Sequence, residues 1–454
     1  MIAPVQRRLW LPAIALSLFL PMPGAASAET MHEALAKAYQ TSPVLREARA
    51  ALRVVDEGVP QALGGWRPTV SASGSGGFKR SDTSSIDSQS LMPVSGQLSI
   101  SQPIYRGGRT VAGTNQAEKL VLASRADLMD SEQQVLLDCV TAYMDVLRDQ
   151  ARVQLNANNE QVLNRQLEAT RDRFEVGEVT RTDVAQAEAR LARAIAERLS
   201  AEGGLAVSKA TYERVVGSAP QALTAAPPLP SMPASLQDGL GIGLEENPQI
   251  ISALHAERAA GDAVRAAFGN ILPTVGLTGR ILRSNETVFE DVSAESEQIL
   301  AEVSIPIYQA GVVHSQVREA KELRNQRRIQ VELNRRQIIE LVTQAWEVLG
   351  TARSNVKARM EEVRVNQIAL EGVRQEAAVG SRTTLDVLDA EQESLDARVA
   401  LVIAERNEYV AGFTLLSAIG RLTVAGLGVP VEAYDPTVHY SQVRGKYWGW
   451  ELSE

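Results

Sequence analysis

The chain has 454 residues, 44% of them hydrophobic and only 4% aromatic, with a formal net charge of −9. That balance excludes a polytopic helical membrane protein, and the acidity argues against a nucleic-acid partner. One cysteine, Cys139, excludes an intramolecular disulfide framework.

The first element is a predicted signal peptide over 1–28. Arg7 and Arg8 form a basic start, and Leu9 to Leu20 is an apolar run too short to span a bilayer. Ala26-Ser27-Ala28 is a small-x-small cleavage pattern. Cleavage before Glu29 removes 28 of 454 residues and leaves 426, and the loss of two arginines moves the charge from −9 to −11. The residue expected to follow the cleavage site is Glu29, not a cysteine that could carry a lipid.

The rest is written twice. Pro43 and Pro68 return as Pro248 and Pro273, both 205 residues later. Pro103, Gly177 and Gly217 return as Pro306, Gly380 and Gly420, each 203 later. A nearly constant offset across five landmarks marks a tandem duplication. The predicted division is a first repeat over 29–217, a Pro-rich linker over 218–235, a second repeat over 236–420 and a C-terminal extension over 421–454. Each repeat is expected to hold a helix, two strands and a long helical hairpin.

Alternation with period 2 marks the strands. Val70, Ala72, Gly74, Gly76 and Phe78 begin the first, and Val94, Leu98 and Ile100 lie in the second. Val275, Leu277 and Ile281, then Ile299, Val303 and Ile305, mark their counterparts. Each is about 10 residues, the length of a tilted transmembrane strand. The segments Ser81 to Met92 and Asn285 to Glu297 are read as polar loops between them. Four strands cannot close a barrel, and an open sheet edge cannot sit in lipid, so a barrel requires several chains.

Neither Pro103–Pro220 nor Pro306–Pro430 contains an intervening proline, and both stretches are rich in Ala, Leu, Glu, Gln and Arg. Helices are predicted over 109–176, 181–216, 312–379 and 383–419, broken at Gly177 and Gly380. The longer ones would extend roughly 100 Å at ~1.5 Å per residue. Ile338, Val342, Ala345, Leu349, Ala352, Val356 and Met360 trace a narrow coiled-coil seam, as do Leu385, Leu388, Leu395, Val399 and Val402.

The duplicated strand–strand–hairpin unit, the pieces "PIYRGGR" (103–109) and "PIYQAGV" (306–312), and "VGSRTTLDVLDAEQ" (379–392) make the chain similar to the TolC-like outer-membrane efflux channel family. The resemblance covers roughly residues 30 to 425. It implies a mainly α fold with transmembrane β. Three chains give four strands each to a twelve-stranded barrel, which continues into a long α-helical coiled-coil tunnel across the periplasm. The expected function is the outer-membrane exit channel of a tripartite efflux or type I secretion system. The expected partners are two further copies of the chain, a periplasmic adaptor (membrane fusion) protein, an inner-membrane ABC or RND-type transporter and outer-membrane lipid. No cofactor, metal or nucleic acid is implied.

The resemblance also suggests site residues. Asp386 and Asp389, spaced i, i+3, share a helix face and match the family's constricting carboxylate rings. Read alone, two aspartates early in a helix complement its dipole. Arg382 matches the gating arginine, and Thr182 and Asp183 match its partners in the first repeat. Ala377 stands where the family's other link uses a tyrosine. Pro103, Gly108, Pro306 and Gly311 mark strand ends and turns; Gly177 and Gly380 mark the hairpin tips.

No HExxH, G-x-S-x-G, P-loop or CxxC motif is present, so no enzyme is expected. "GLGIG" at 239–243 does not follow a strand and is a weak dinucleotide signal. A periplasmic adaptor or a structural coiled coil without a pore is the alternative, but neither needs two hairpins with four amphipathic strands. The extension carries Tyr440, Tyr447, Trp448 and Trp450, whose predicted place is packing round the tunnel's equator in preference to a bilayer interface.

Overall fold

The computed structural model describes residues 28–83 and 86–451. The predicted signal peptide lies outside the described residues apart from Ala28. The chain opens with three helices, α1 (Met31–Thr41), α2 (Pro43–Asp56) and α3 (Gly58–Leu63), where one was expected. Strands β1 (Thr69–Gly76), β2 (Lys79–Thr83), β3 (Ile86–Leu91) and β4 (Val94–Arg106) follow, then α4 (Arg109–Glu175) and α5 (Arg181–Val216). The second copy runs α6 (Leu236–Glu246), α7 (Pro248–Phe268), β5 (Thr274–Asn285), β6 (Ser293–Ser304), α8 (Val312–Ala378) and α9 (Thr384–Ala418). A short α10 (Val438–Val443) lies in the extension. No described helix is long and apolar enough to cross a membrane.

The main sheet has the order β1-β4-β5-β6, all antiparallel. Its register separates two faces. Val70 lies opposite Ile100, Ile100 opposite Gly279, and Gly279 opposite Ile299, so one face is an apolar band. Ser71 lies opposite Ser99, Ser99 opposite Arg280, and Arg280 opposite Gln298, so the other face is polar. Hydroxyl pairs Ser71–Ser99 (2.7 Å) and Ser75–Ser95 (2.8 Å) line that polar face.

Three expectations about the strands need correction. The stretch from Ser81 to Met92 is no plain loop: most of it belongs to the hairpin β2–β3, with Lys79 opposite Leu91 and Arg80 opposite Ser90. β5 and β6 also run on through much of the presumed second loop, leaving only 286–292 between them. Pro103 does not end its strand. β4 continues to Arg106 across a bulge between Pro103 and Tyr105. The ladder to β1 has already ended at Ser101. Proline without an N–H is tolerated where pairing is interrupted in this way.

The long helices fall within a residue of the predicted ends. Their packing repeats every seven residues. Asp149, Asn156, Leu163 and Thr170 are buried on α4, and Ala187, Ala194, Ala201 and Ser208 on α5. A strict heptad imposes a left-handed supercoil, and alanine allows the axes to approach. On α8 the predicted seam is buried from Ile338 to Leu349 and again at Val356, but Met360 is exposed.

The main core lies at the mid-height of the hairpins. Val135 to Val146 of α4 sit ~40–55 Å from the sheet at ~1.5 Å per residue, packed with α1, Tyr212, Ile250, Val342 and Phe413. The Pro-rich segment 218–235 is part of this core and no loose tether: Leu223, Ala226, Leu229 and Met232 pack onto it. Glu29 brackets the segment, its N–H donating to Ala222 O (2.7 Å) and its carbonyl accepting from Thr224 N (3.0 Å). "GLGIG" is helical, and a Cβ on Gly243 would lie 3.1 Å from Val342 Cγ2, so Gly243 serves close packing of α6 on α8.

Candidate functional site: the hairpin tips

At each tip the chain reverses through a left-handed glycine, Gly177 at φ +81° and Gly380 at φ +83°. Three residues further on, a capping box starts the returning helix. Thr180 Oγ1 accepts from Asp183 N (3.3 Å), and Asp183 accepts from Thr180 N (2.8 Å). The second copy reproduces this with Thr383 and Asp386 at 3.2 and 2.9 Å. A capping box satisfies helix N–H groups that have no partner within the helix. The donated Thr383 N–H holds the Asp386 carboxyl below its ordinary range, and Thr180 does the same for Asp183. An ion pair beneath each tip repeats at the same offset: Arg171–Glu188 and Arg374–Glu391.

The copies diverge in what they add. Asp389 is half exposed and pairs with Arg190 of α5, 199 residues away. This contact ties the first hairpin to the second. Arg190 was not legible beforehand, because nothing local in the sequence brings α5 to α9. Just beyond the ion pair, Leu163, Ala194 and Leu388 form a small apolar cluster joining α4, α5 and α9.

Arg382 is exposed and bonds through Nε to Glu376 Oε2 of its own turn (2.8 Å), which raises the guanidinium further above its ordinary value. Asp183 is engaged by Thr180, and Thr182 lies exposed beside it. The structure therefore brings Asp389 to the first repeat but leaves Arg382 with Glu376. Gly108 and Gly311 take φ +75° and +77° immediately before α4 and α8, turning each strand into its helix. Pro306 lies just past the end of β6. Among the described residues no cluster of His, Cys, Asp and Glu could hold a metal ion. The arrangement presents charged side chains on long helices.

The family model "Outer membrane efflux protein" matches residues 34–218 and 241–421, one match per repeat. The outer membrane efflux protein BepC of Brucella suis is 38% identical over 426 residues, covering 94% of this chain and 92% of that protein. The outer membrane protein TolC of Escherichia coli is 25% identical over 414 residues, covering 87% and 83%. The solved Campylobacter jejuni CmeC outer membrane channel superposes with a TM-score of 0.78 at 15% identity, covering 91% of this chain and 89% of that one. The chain thus belongs to the outer membrane efflux protein family, the TolC-like channel-tunnels that reach from the outer membrane into the periplasm.

Proposed function

We propose that the chain is the passive exit duct of a tripartite efflux or type I secretion system, working as a homotrimer docked to a periplasmic adaptor and an inner-membrane ABC or RND-type pump. One observation carries this reading. The amphipathic sheet has β1 and β6 at its two edges, each paired on one side only among the described residues. Lipid does not tolerate such edges, so β6 of one copy must pair with β1 of the next. Exposed apolar residues along α8, among them Leu333, Leu341, Val348 and Val365, give neighbouring helices a surface to pack against.

In this reading Asp386 and Asp389 constrict and select at the periplasmic end. Arg190 compensates the Asp389 ring while the tunnel is closed. Arg382 exchanges Glu376 for Thr182 and Asp183 of the first hairpin to hold that closed state. The transport energy comes from the pump, since the duct contributes only shape and charge.

Planar-bilayer recording of the purified trimer tests these roles. Asp386→Ala combined with Asp389→Ala should weaken block by divalent cations, because a ring of carboxylates is what attracts cations to a constriction. Arg190→Ala should deepen the block by exposing Asp389. Unchanged block and conductance in the double variant would remove the ring assignment. A soluble monomer in the periplasm, in place of an outer-membrane trimer on unheated gels, would remove the duct altogether.

A further inference from the structure

The extension climbs toward the membrane. At its lower end the Tyr440 ring faces Arg125 of α4, with the guanidinium carbon 5.3 Å from the ring centroid. His439 Nδ1 lies 3.0 Å from Asp56 Oδ2 of α2. Further on, Arg444 pairs with Glu118 of α4 (2.9 Å), about 10 Å nearer the sheet by the ~1.5 Å rise per residue. At the top, Arg67 donates to Lys446 O (2.8 Å), and its guanidinium lies 4.0 Å from the Tyr447 ring centroid. Arg67 is two residues before β1, at the base of the sheet.

The side of the sheet follows from Gln102. It continues the apolar outward row of Leu98 and Ile100, and its amide donates to Trp66 O (2.9 Å). The Trp66–Arg67 segment, and the tail that it holds, therefore lie on the membrane-facing side. There the tail leaves its largest rings uncovered: Tyr447, Trp448 and Trp450 are 70%, 89% and 97% exposed. At the same level Tyr105 and Tyr308, related by the 203-residue repeat, are also exposed. Each large ring can bury 150–250 Å², roughly, so two uncovered tryptophans in series mark a surface made to be covered.

We propose that residues 446–451 form an interfacial membrane anchor, with Trp448 and Trp450 seated in the glycerol and headgroup layer of the leaflet that faces the periplasm. The proposal rests on the barrel placement of the sheet, since the tail continues its apolar band downward. Indole suits that layer because its body is apolar while its N–H keeps a polar partner. The anchor fixes the height of the barrel and tethers it to the helical mid-section through α10.

The test uses the full-length trimer in phosphatidylethanolamine vesicles carrying lipids brominated either near the headgroup or deep in the acyl chain. The tail signal is the fluorescence difference between the wild type and the variant with Trp448→Ala and Trp450→Ala. Shallow bromines should quench that difference at least twofold more than deep ones. A difference signal insensitive to both lipids, in trimers that unheated gels show to be inserted, would overturn the anchor. So would one shielded equally in detergent and vesicles, which would assign the rings to a neighbouring copy. Failure of the trimer to insert would instead overturn the barrel placement, and the anchor with it.

Discussion

At the residue scale, the aspartate of each tip serves two demands. Asp386 is proposed to line the constriction, and its carboxylate is committed to Thr383, as Asp183 is to Thr180. The cap requires the charged form. A carboxyl held below its ordinary 3.8 contributes stability that is complete above that value and is lost as pH falls through the lower folded value. Hydrogen exchange of the trimer should therefore show protection of the segment 376–390 falling by roughly twofold or more between about pH 5 and pH 3, in line with loss of a cap. Asp386→Asn should flatten that dependence at the second tip and leave the first tip, where Asp183 is intact, unchanged. Flat protection in the wild type across the same window would show that the cap does not hold the turn. Asp389 carries no such duty: its carboxylate pairs with Arg190 and not with the cap.

At the element scale, glycines of similar backbone angle do different work. Gly380 and Gly420 both close long helices, at φ +83° and +84°. A Cβ at Gly380 meets nothing within 4 Å, whereas at Gly420 it would lie 2.6 Å from Glu246 O and 2.9 Å from Asn247 Cα. There α9 ends against the joint between α6 and α7, fastened by Asn247 Nδ2 donating to Ala418 O (3.0 Å) and by Arg421 on Glu246 (2.7 Å). Gly380→Ala should cost about 1 kcal/mol, the price of a left-handed alanine. Gly420→Ala should cost about 3 kcal/mol or more, because backbone must also move. Denaturant titration of the trimer measures both, and equal losses would refute the distinction. These helix ends were legible in the sequence because glycine and proline punctuate the chain at a fixed offset. The β2–β3 hairpin was not, since its residues are polar and its strands short. Nor was the docking of 218–235, where prolines signal a break and the half-buried Leu223 and Leu229 become informative only once α1 and α4 are in place. The same holds for Arg190: a charge in a polar helix carries no mark of a partner 199 residues away.

At the scale of the whole molecule, neither repeat is self-sufficient. The first repeat supplies α4, whose middle is buried, and the second supplies α8, whose outer side remains exposed apart from a narrow seam. The sheet likewise has two faces but no closure. That asymmetry assigns solvent to one face and lipid to the other, and the assignment can be tested on adjacent residues. Ile299 is 79% exposed and continues the apolar band beside Gly279; Gln298, next to it, lies on the polar face opposite Arg280. An arginine near the bilayer midplane on the lipid side costs about 2–4 kcal/mol, while a lumen position tolerates charge. Ile299→Arg should therefore lower the temperature at which the trimer dissociates on gels from lipid vesicles, and should reduce insertion. Gln298→Arg should leave both near the wild-type values and shift only ion selectivity in planar bilayers. The reverse pattern would turn the sheet inside out and place the serine-rich face against lipid. Equal tolerance at both positions would mean that the sheet does not meet lipid, and the open edges of β1 and β6 would then need a partner other than a neighbouring copy in a membrane.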